Sequence, residues 1–303
     1  AGTDSIVIQE HIKQIDSSHI VIDSGHRQHQ NVRFAGEDIA EGACVVEAGR
    51  QLGAADLGVL ASLGIGELKV VRKPRVAFFS TGDELKSIGQ KLEPGDIYDS
   101  NRYSLYGLLK QCDVDLIDIG VVGDDPKALE SALRTAARQA DVVLTSGGVS
   151  VGEADYIKSV LQQIGDMQFW KIAMKPGRPL TFGQIDDALF FGLPGNPVAV
   201  MVTFYQFVLP CLRKLSGRDY TPPRRLAARC ESDIRKKPGR REFQRAIATA
   251  DEQGKLSVAL TGRQGSGILT SMKLANCFLV LPEDSGPVKT GDEVLVEFFN
   301  DYF

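Results

Sequence analysis

Residues 76–84 read Val76-Ala77-Phe78-Phe79-Ser80-Thr81-Gly82-Asp83-Glu84. Four consecutive apolar residues describe a strand buried on both faces, and the small and acidic residues after them describe a strand end open to a ligand. Further strands are expected at 114–122, 141–144, 169–174 and 189–191. Helices are expected at 102–111, Pro126–Gln139, 156–164 and 198–215, with Asp125 as N-cap and Pro126 at the first position of the second. Strands alternating with helices predict a three-layer α/β domain around a mostly parallel sheet.

Working outward, residues 6–40 carry short β-runs at 6–9, 20–22 and 32–34, divided by Ser, Gly, Asp and Asn. A short helix is expected at 54–63, ended by Gly64 and Gly66, and Lys73-Pro74 reads as a linker. After Thr221-Pro222-Pro223 the pattern turns to β-runs at Leu256–Leu260, Cys277–Leu281 and Glu293–Phe298 between Gly and Pro turns, which predicts a small barrel-like domain. The expected divisions are an N-terminal β-domain remnant at 1–42, a short helical linker at 43–73, the α/β domain at 74–218 and the β-domain at 219–303. The basic stretch 224–245 reads as a solvated face or as an anion-facing rim.

Composition sets limits. With 303 residues and 43% apolar content the chain can build several packed cores. A net charge of -4 gives no bias toward nucleic acid, and no run approaches the roughly 20 apolar residues of a membrane span. Five singly spaced cysteines argue for buried apolar roles, against a disulfide framework and for a reducing cytoplasm. The chain starts at Ala1 without a signal-peptide pattern and reads at once as strand, so a fragment is expected.

In a parallel sheet, ligands bind beyond the carboxyl ends of the strands. Those ends carry Ser80 to Glu84, Gly123 to Pro126, Ser146 to Asp155, Lys175 to Pro179 and Gly192 to Pro197. Three of these segments are rich enough in glycine to let backbone N–H groups approach an anion such as phosphate. Asp83, Glu84, Asp124, Glu153 and Asp155 fall at the same rim. Two carboxylates ~4 Å apart repel by roughly 4 kcal/mol at an effective dielectric near 20, and a shared hard cation such as Mg²⁺ removes that repulsion. Lys171, Lys175 and Arg178 stand opposite them as oxyanion binders.

Absences narrow the chemistry. Gly148-Val149-Ser150-Val151-Gly152 matches a nucleophile elbow, but all four histidines precede residue 30, so no catalytic His follows Ser150. There is no G-x-x-x-x-G-K-[ST] phosphate loop and no G-x-G-x-x-G after the first strand.

The segments 80–85, 97–101, 146–155, Lys175-Pro176-Gly177 and 192–197, with Arg33 and Gly36-Glu37-Asp38, resemble the MoeA-type molybdopterin molybdotransferases, which include the gephyrin E domain. The resemblance runs from about Arg33 to the end. It implies Mg²⁺-dependent insertion of molybdate into adenylylated molybdopterin with release of AMP. It implies that Thr81, Gly82, Ser146, Gly147, Gly148, Ser150, Gly152, Arg178, Pro194 and Asn196 bind substrate. Glu84, Asp124, Asp155, Lys171 and Lys175 would be catalytic, and Asp83, Glu84, Asp124 and Asp155 metal-ligating. Lys171, Lys175 and Arg178 would receive molybdate or pyrophosphate; many relatives have Lys in place of Arg178. A homodimer is implied, with Asp38 near the partner's site and a molybdopterin adenylyltransferase upstream. Full members begin with a segment carrying P-G-F-D-x-S-A-M-D-G-Y-like and T-G-A-x-x-P-like motifs, absent here, so little activity is expected of this chain. Two alternatives remain: a molybdopterin adenylyltransferase, whose loop is typically Gly-Gly-Thr-Gly, and a gephyrin-like scaffold.

Overall fold

A computed structural model describes residues 2–147, 155–219 and 221–303, with the side chains of 155–157 and 169 also outside the description. The chain forms two compact units, one up to Lys69 and one from Val70 onward.

In the first unit β1 (Ile12–Gln14) pairs antiparallel with β2 (Ile20–Ile22), and Asp16 organises their turn by accepting from Ser18 N. Helix α1 (Ala54–Ser62) starts where Gly53 N and Arg50 Nε donate to Asp56. The expected strands at 6–9 and 32–34 do not form. Positive φ at His29 and Asn31 closes a turn in which Val32 N donates to His29 O, so the backbone cannot run extended there.

The second unit opens with β3 (Arg75–Thr81), the short parallel pair β4 (Leu85–Lys86) and β5 (Ile97–Tyr98), and α2 (Ser100–Leu109). It continues through β6 (Asp115–Val122), α3 (Pro126–Gln139), β7 (Val142–Ser146), α4 (Asp155–Ile164), β8 (Asp166–Lys171), β9 (Met174–Lys175), β10 (Pro179–Ile185) and β11 (Ala188–Leu193). The sheet order is β6-β3-β7-β11-β10-β8. Period-two alternation divides each strand between two cores. Val76 and Phe78 pack with α2, while Ala77 and Phe79 pack with α3 and α4. Asp125 caps α3 as expected, accepting from Ala128 N.

Two expectations need correction. Strand β10 is not among the strands expected from the sequence; it inserts antiparallel between β11 and β8. Gly183 is required there, since a Cβ would lie 2.2 Å from Asp166 O. The expected 198–215 helix forms as one continuous run from 197 to 215, but with a π-helical turn at Phe204–Val208 between α5 (Pro197–Thr203) and α6 (Leu209–Leu215). Pro210 has no N–H for the Gln206 carbonyl and its ring crowds that oxygen, which a wider turn relieves. This 19-residue run is also apolar and long enough to cross a bilayer, contrary to the expectation that none is, but 56% of its most apolar window is buried in the fold.

Beyond it, β12 (Leu226–Cys230), β13 (Arg241–Ala250), β14 (Leu256–Leu260), α7 (Leu269–Leu274), β15 (Cys277–Leu281) and β16 (Glu293–Phe298) follow. The order β14-β12-β16-β15-β13, with β13 paired back to β14, closes a five-stranded barrel. Strands β12 and β13 occupy the basic stretch, and two of its cations, Lys236 and Arg245, are buried rather than solvated. The five cysteines are free; Cys230 and Cys277 are buried, whereas Cys44 is exposed against expectation. Burial pushes the Cys277 thiol up to about 12.

Asp141 anchors the start of β7. Both its oxygens accept from Arg72 at 2.6 Å, and it also accepts from Arg75 N at 2.7 Å. The Arg72 hydrogen bonds, then the Arg75 amide, hold its pKa down to about 2. A depressed carboxylate stabilises the fold above its unfolded pKa, and that contribution disappears as pH falls through the folded value. Asp141→Asn is expected to cost about 1–3 kcal/mol at pH 7. Urea titrations should show the difference shrinking as pH drops from 4 toward 2; equal stability at pH 7 would contradict the assignment.

Candidate functional site

Strand polarity brings the predicted segments to one rim. Thr81 pairs with Val122, Ser80 with Ser146, Leu193 with Ser146, and Pro179 with Lys171. The carboxyl ends of β6, β3, β7, β11 and β8 therefore face the same way, joined by the amino end of β10.

At the β3–β6 end, Asp124 N donates to Asp83 Oδ1 at 2.9 Å, and Asp83 N lies 3.4 Å from Asp124 Oδ2. This exchange holds two exposed carboxylates side by side with one oxygen of each uncommitted by it. Gly82 sits at φ +145°, and a Cβ there would lie 2.4 Å from Glu84 Oε2, so glycine lets the Glu84 carboxylate fold back over the turn. Among the described residues no group of three carboxylate, His or Cys side chains converges as a metal cage. Asp83 and Asp124 are the carboxylates here that could hold a hard cation if substrate oxygens and water completed its shell.

The middle of the rim is laced together by residues the sequence reading quoted but did not assign. Asp99 is buried, caps α2 by accepting from Arg102 N, and accepts from Ser80 Oγ at 2.9 Å. Asn101 Nδ2 donates to Ser146 Oγ at 2.8 Å and to Gly195 O at 2.7 Å, tying the β7 and β11 loops together. Among the described residues, Thr81 Oγ1 and Asn101 Oδ1 are buried without hydrogen-bond partners. Such groups are costly unless a bound molecule or water satisfies them. Gly147 has φ +93°, and a Cβ would lie 2.7 Å from Thr81 O. Gly148, Ser150 and Gly152 lie outside the described residues, as does the side chain of Asp155.

At the far end, a cavity of about 350 Å³ is lined by Lys175 and Arg178 of the α/β layer and by Arg240 and Ser266 of the barrel, among others. Predicted residues Pro194 and Asn196 also line it. Strand β9 pairs parallel with β13, placing Lys175 beside Glu242, and Lys175 Nζ lies 3.3 Å from Glu242 Oε1. Glu242 is only 3% exposed, so the ion pair fixes the ammonium from behind. Lys171 is exposed at the end of β8 and is not among the cavity's lining residues. Four interstrand spacings separate β3 from β8, about 19 Å at 4.8 Å each. Lys171 thus stands well away from the acidic corner, whereas the cavity holding Lys175 meets the rim at the turn after β11 through Pro194 and Asn196. Asp38 belongs to the first unit, where it is exposed. The sequence reading missed Asp99, Asn101, Arg240, Glu242, Gln264 and Ser266. Asp99 was findable as an N-cap before a helix, but nothing in the sequence signals that a distant barrel turn returns to the α/β rim.

The chain matches known families along its length. Residues 77–214 match the probable molybdopterin binding domain, 227–299 the MoeA C-terminal region (domain IV) and 1–64 the MoeA N-terminal region (domain I and II). A molybdopterin molybdenumtransferase of Haemophilus influenzae is 43% identical, over 99% of this chain and 74% of that protein. One from Nostoc is 36% identical, over 98% and 69%. A molybdopterin biosynthesis MoeA structure from Pyrococcus horikoshii superposes with a TM-score of 0.80 at 31% identity, covering 98% of this chain and 72% of that one. The chain belongs to the molybdopterin molybdenumtransferase (MoeA) family and is a transferase of molybdenum cofactor biosynthesis.

Proposed function

We propose that this protein inserts molybdate into adenylylated molybdopterin with release of AMP, in a Mg²⁺-dependent reaction. The observation that carries the reading is the pairing of an acidic corner with a cationic cavity along one glycine-lined rim. Asp83 and Asp124, with Glu84 and Asp155, are the residues assigned to Mg²⁺. The ion would supply charge neutralisation for the phosphate oxygens of the ligand. The Thr81–Gly82 turn and the Ser146–Gly152 loop are assigned to the phosphate and nucleotide portion, with Asn101 holding the second against Gly195.

Molybdate is a tetrahedral dianion. In the cavity Lys175 offers a compact ammonium, while Arg178 and Arg240 offer planar forks. Glu242 keeps Lys175 in place without entering the cavity lining. Lys171, at the outer edge, is assigned to guiding the oxyanion inward. A homodimer with Asp38 at the partner's site, a molybdopterin adenylyltransferase upstream and a cytoplasmic setting complete the proposal.

Two outcomes follow for AMP release from adenylylated molybdopterin. In a full-length parent, Asp155→Asn should retain the fold and abolish Mg²⁺-dependent release, and Asp124→Asn should lower it by about 10–100-fold; turnover equal to that parent removes the residue from the metal site. Lys175→Ala should raise the molybdate concentration for half-maximal rate at least about tenfold, the loss expected of a charge-assisted contact. An unchanged molybdate dependence would take the cavity out of the reaction.

A further inference from the structure

Arg245 is among the largest fully buried side chains, at 1% exposure. Its side-chain hydrogen-bond partners are both neutral. Nε donates to Ser271 Oγ at 3.0 Å and a terminal nitrogen donates to Gly265 O at 3.1 Å. No carboxylate pairs with it among the described residues, and burial alone holds its pKa down to about 10. A guanidinium buried without a counter-ion opposes folding, and an apolar side chain of similar volume is often tolerated or preferred at such a position.

What the residue holds is the turn at 264–266. Arg245 N donates to Gln264 Oε1 at 2.7 Å, and Gln264 Nε2 donates back to Arg245 O at 3.0 Å, so both ends of that amide are fixed. The guanidinium grips the next residue through Gly265 O. Ser271, its other partner, donates to Ile268 O and so closes the segment from the far side. Gln264, Gly265 and Ser266 form one wall of the cationic cavity, and Ser266 O accepts from Val198 N at the start of α5.

We infer that Arg245 is a positioning residue for oxyanion recognition: it sets the 264–266 turn against Lys175, Arg178 and Arg240, so that the cavity accepts a tetrahedral dianion. The inference rests on reading that cavity as the oxyanion site. Arg245 makes no direct contact with the anion; the effect of its side chain passes through the carbonyl of Gly265 and the hydroxyl of Ser271, while its backbone fixes the Gln264 amide. The destabilising buried charge is thereby accounted for, since an apolar replacement would fill the space and keep the backbone bonds to Gln264 but leave Gly265 O and Ser271 unheld.

The test is calorimetric titration of sodium molybdate into the unsubstituted chain and into Arg245→Met, Arg245→Lys, Ser271→Ala and Arg240→Ala, with melting temperatures measured alongside. Arg245→Met should melt at or above the parent temperature yet bind molybdate about tenfold more weakly. Arg245→Lys, which can still donate to Gly265 O, should recover to within about threefold. Ser271→Ala should bind about threefold more weakly. Arg240→Ala, a direct lining change, should lose at least about tenfold, the scale of one charge-assisted hydrogen bond. If Arg240→Ala binds weakly while Arg245→Met binds like the parent, Arg245 is only structural and the inference fails. Should Arg245→Met not fold, unchanged affinity in Ser271→Ala overturns it equally. If Arg240→Ala itself binds like the parent, the cavity is not the oxyanion site, and the proposed function loses that assignment as well.

Discussion

The pairing of β9 with β13 sets the register in which the barrel meets the α/β layer. Met174 lies opposite Arg241 and Lys175 opposite Glu242, with Arg241 N donating to Ala173 O at 2.9 Å. A buried carboxylate such as Glu242 is costly unless a cation and hydrogen bonds compensate it; here Lys175 and Gln244 do so. The same contact orients the Lys175 ammonium toward the cavity. The apolar surfaces are continuous across this junction: Phe243, Phe278 and Tyr302 of the barrel side share a core with Val198, Phe204, Tyr205 and Leu212. Tyr205 stacks on Phe299 with ring centroids 5.6 Å apart. Burial on this scale outweighs the few polar contacts energetically, but the polar contacts set the register.

The rest of the rim follows from strand polarity. A parallel sheet delivers successive loops to one edge, and glycine at Gly82 and Gly147 lets those loops approach closer than a Cβ would permit. Side chains from α2 then fix the loops to one another through Asp99 and Asn101. The outcome is a row of functional groups along the rim, not a compact cage. A ligand that carries a nucleotide, a phosphate link and an acceptor for an oxyanion matches such a row better than a single small anion does.

Much of this was legible in the sequence wherever local patterns decide structure. The apolar run at 76–79, the Asp125-Pro126 helix start and the three barrel strands at 256–260, 277–281 and 293–298 came out as the spacing predicts. The misses have physical causes. Strand β10 hides behind Pro179 and Gly183, which mark turns elsewhere but here fit an antiparallel strand that needs a close backbone approach. The π-turn depends on Pro210 acting on a carbonyl four residues earlier, which periodicity does not register. The basic stretch concealed both β13 and the buried Arg245, because charge argued for a surface when only the closed barrel shows which residues point inward. At the site, the glycines and acids were recognisable by type, while Arg240, Gln264 and Ser266 depend on a fold-level return of the chain to the α/β domain.

The central claim is that two domains together build one oxyanion pocket at the far end of the rim from the acidic corner. The most direct measurement is a crystal soaked with molybdate, AMP and Mg²⁺, with molybdenum located by its anomalous scattering. The account predicts a molybdenum peak in the cavity bounded by Lys175, Arg178, Arg240 and Ser266, with AMP phosphate toward Asp83 and Asp124. A molybdenum peak at the Asp83–Asp124 corner, with the basic cavity empty, would contradict it.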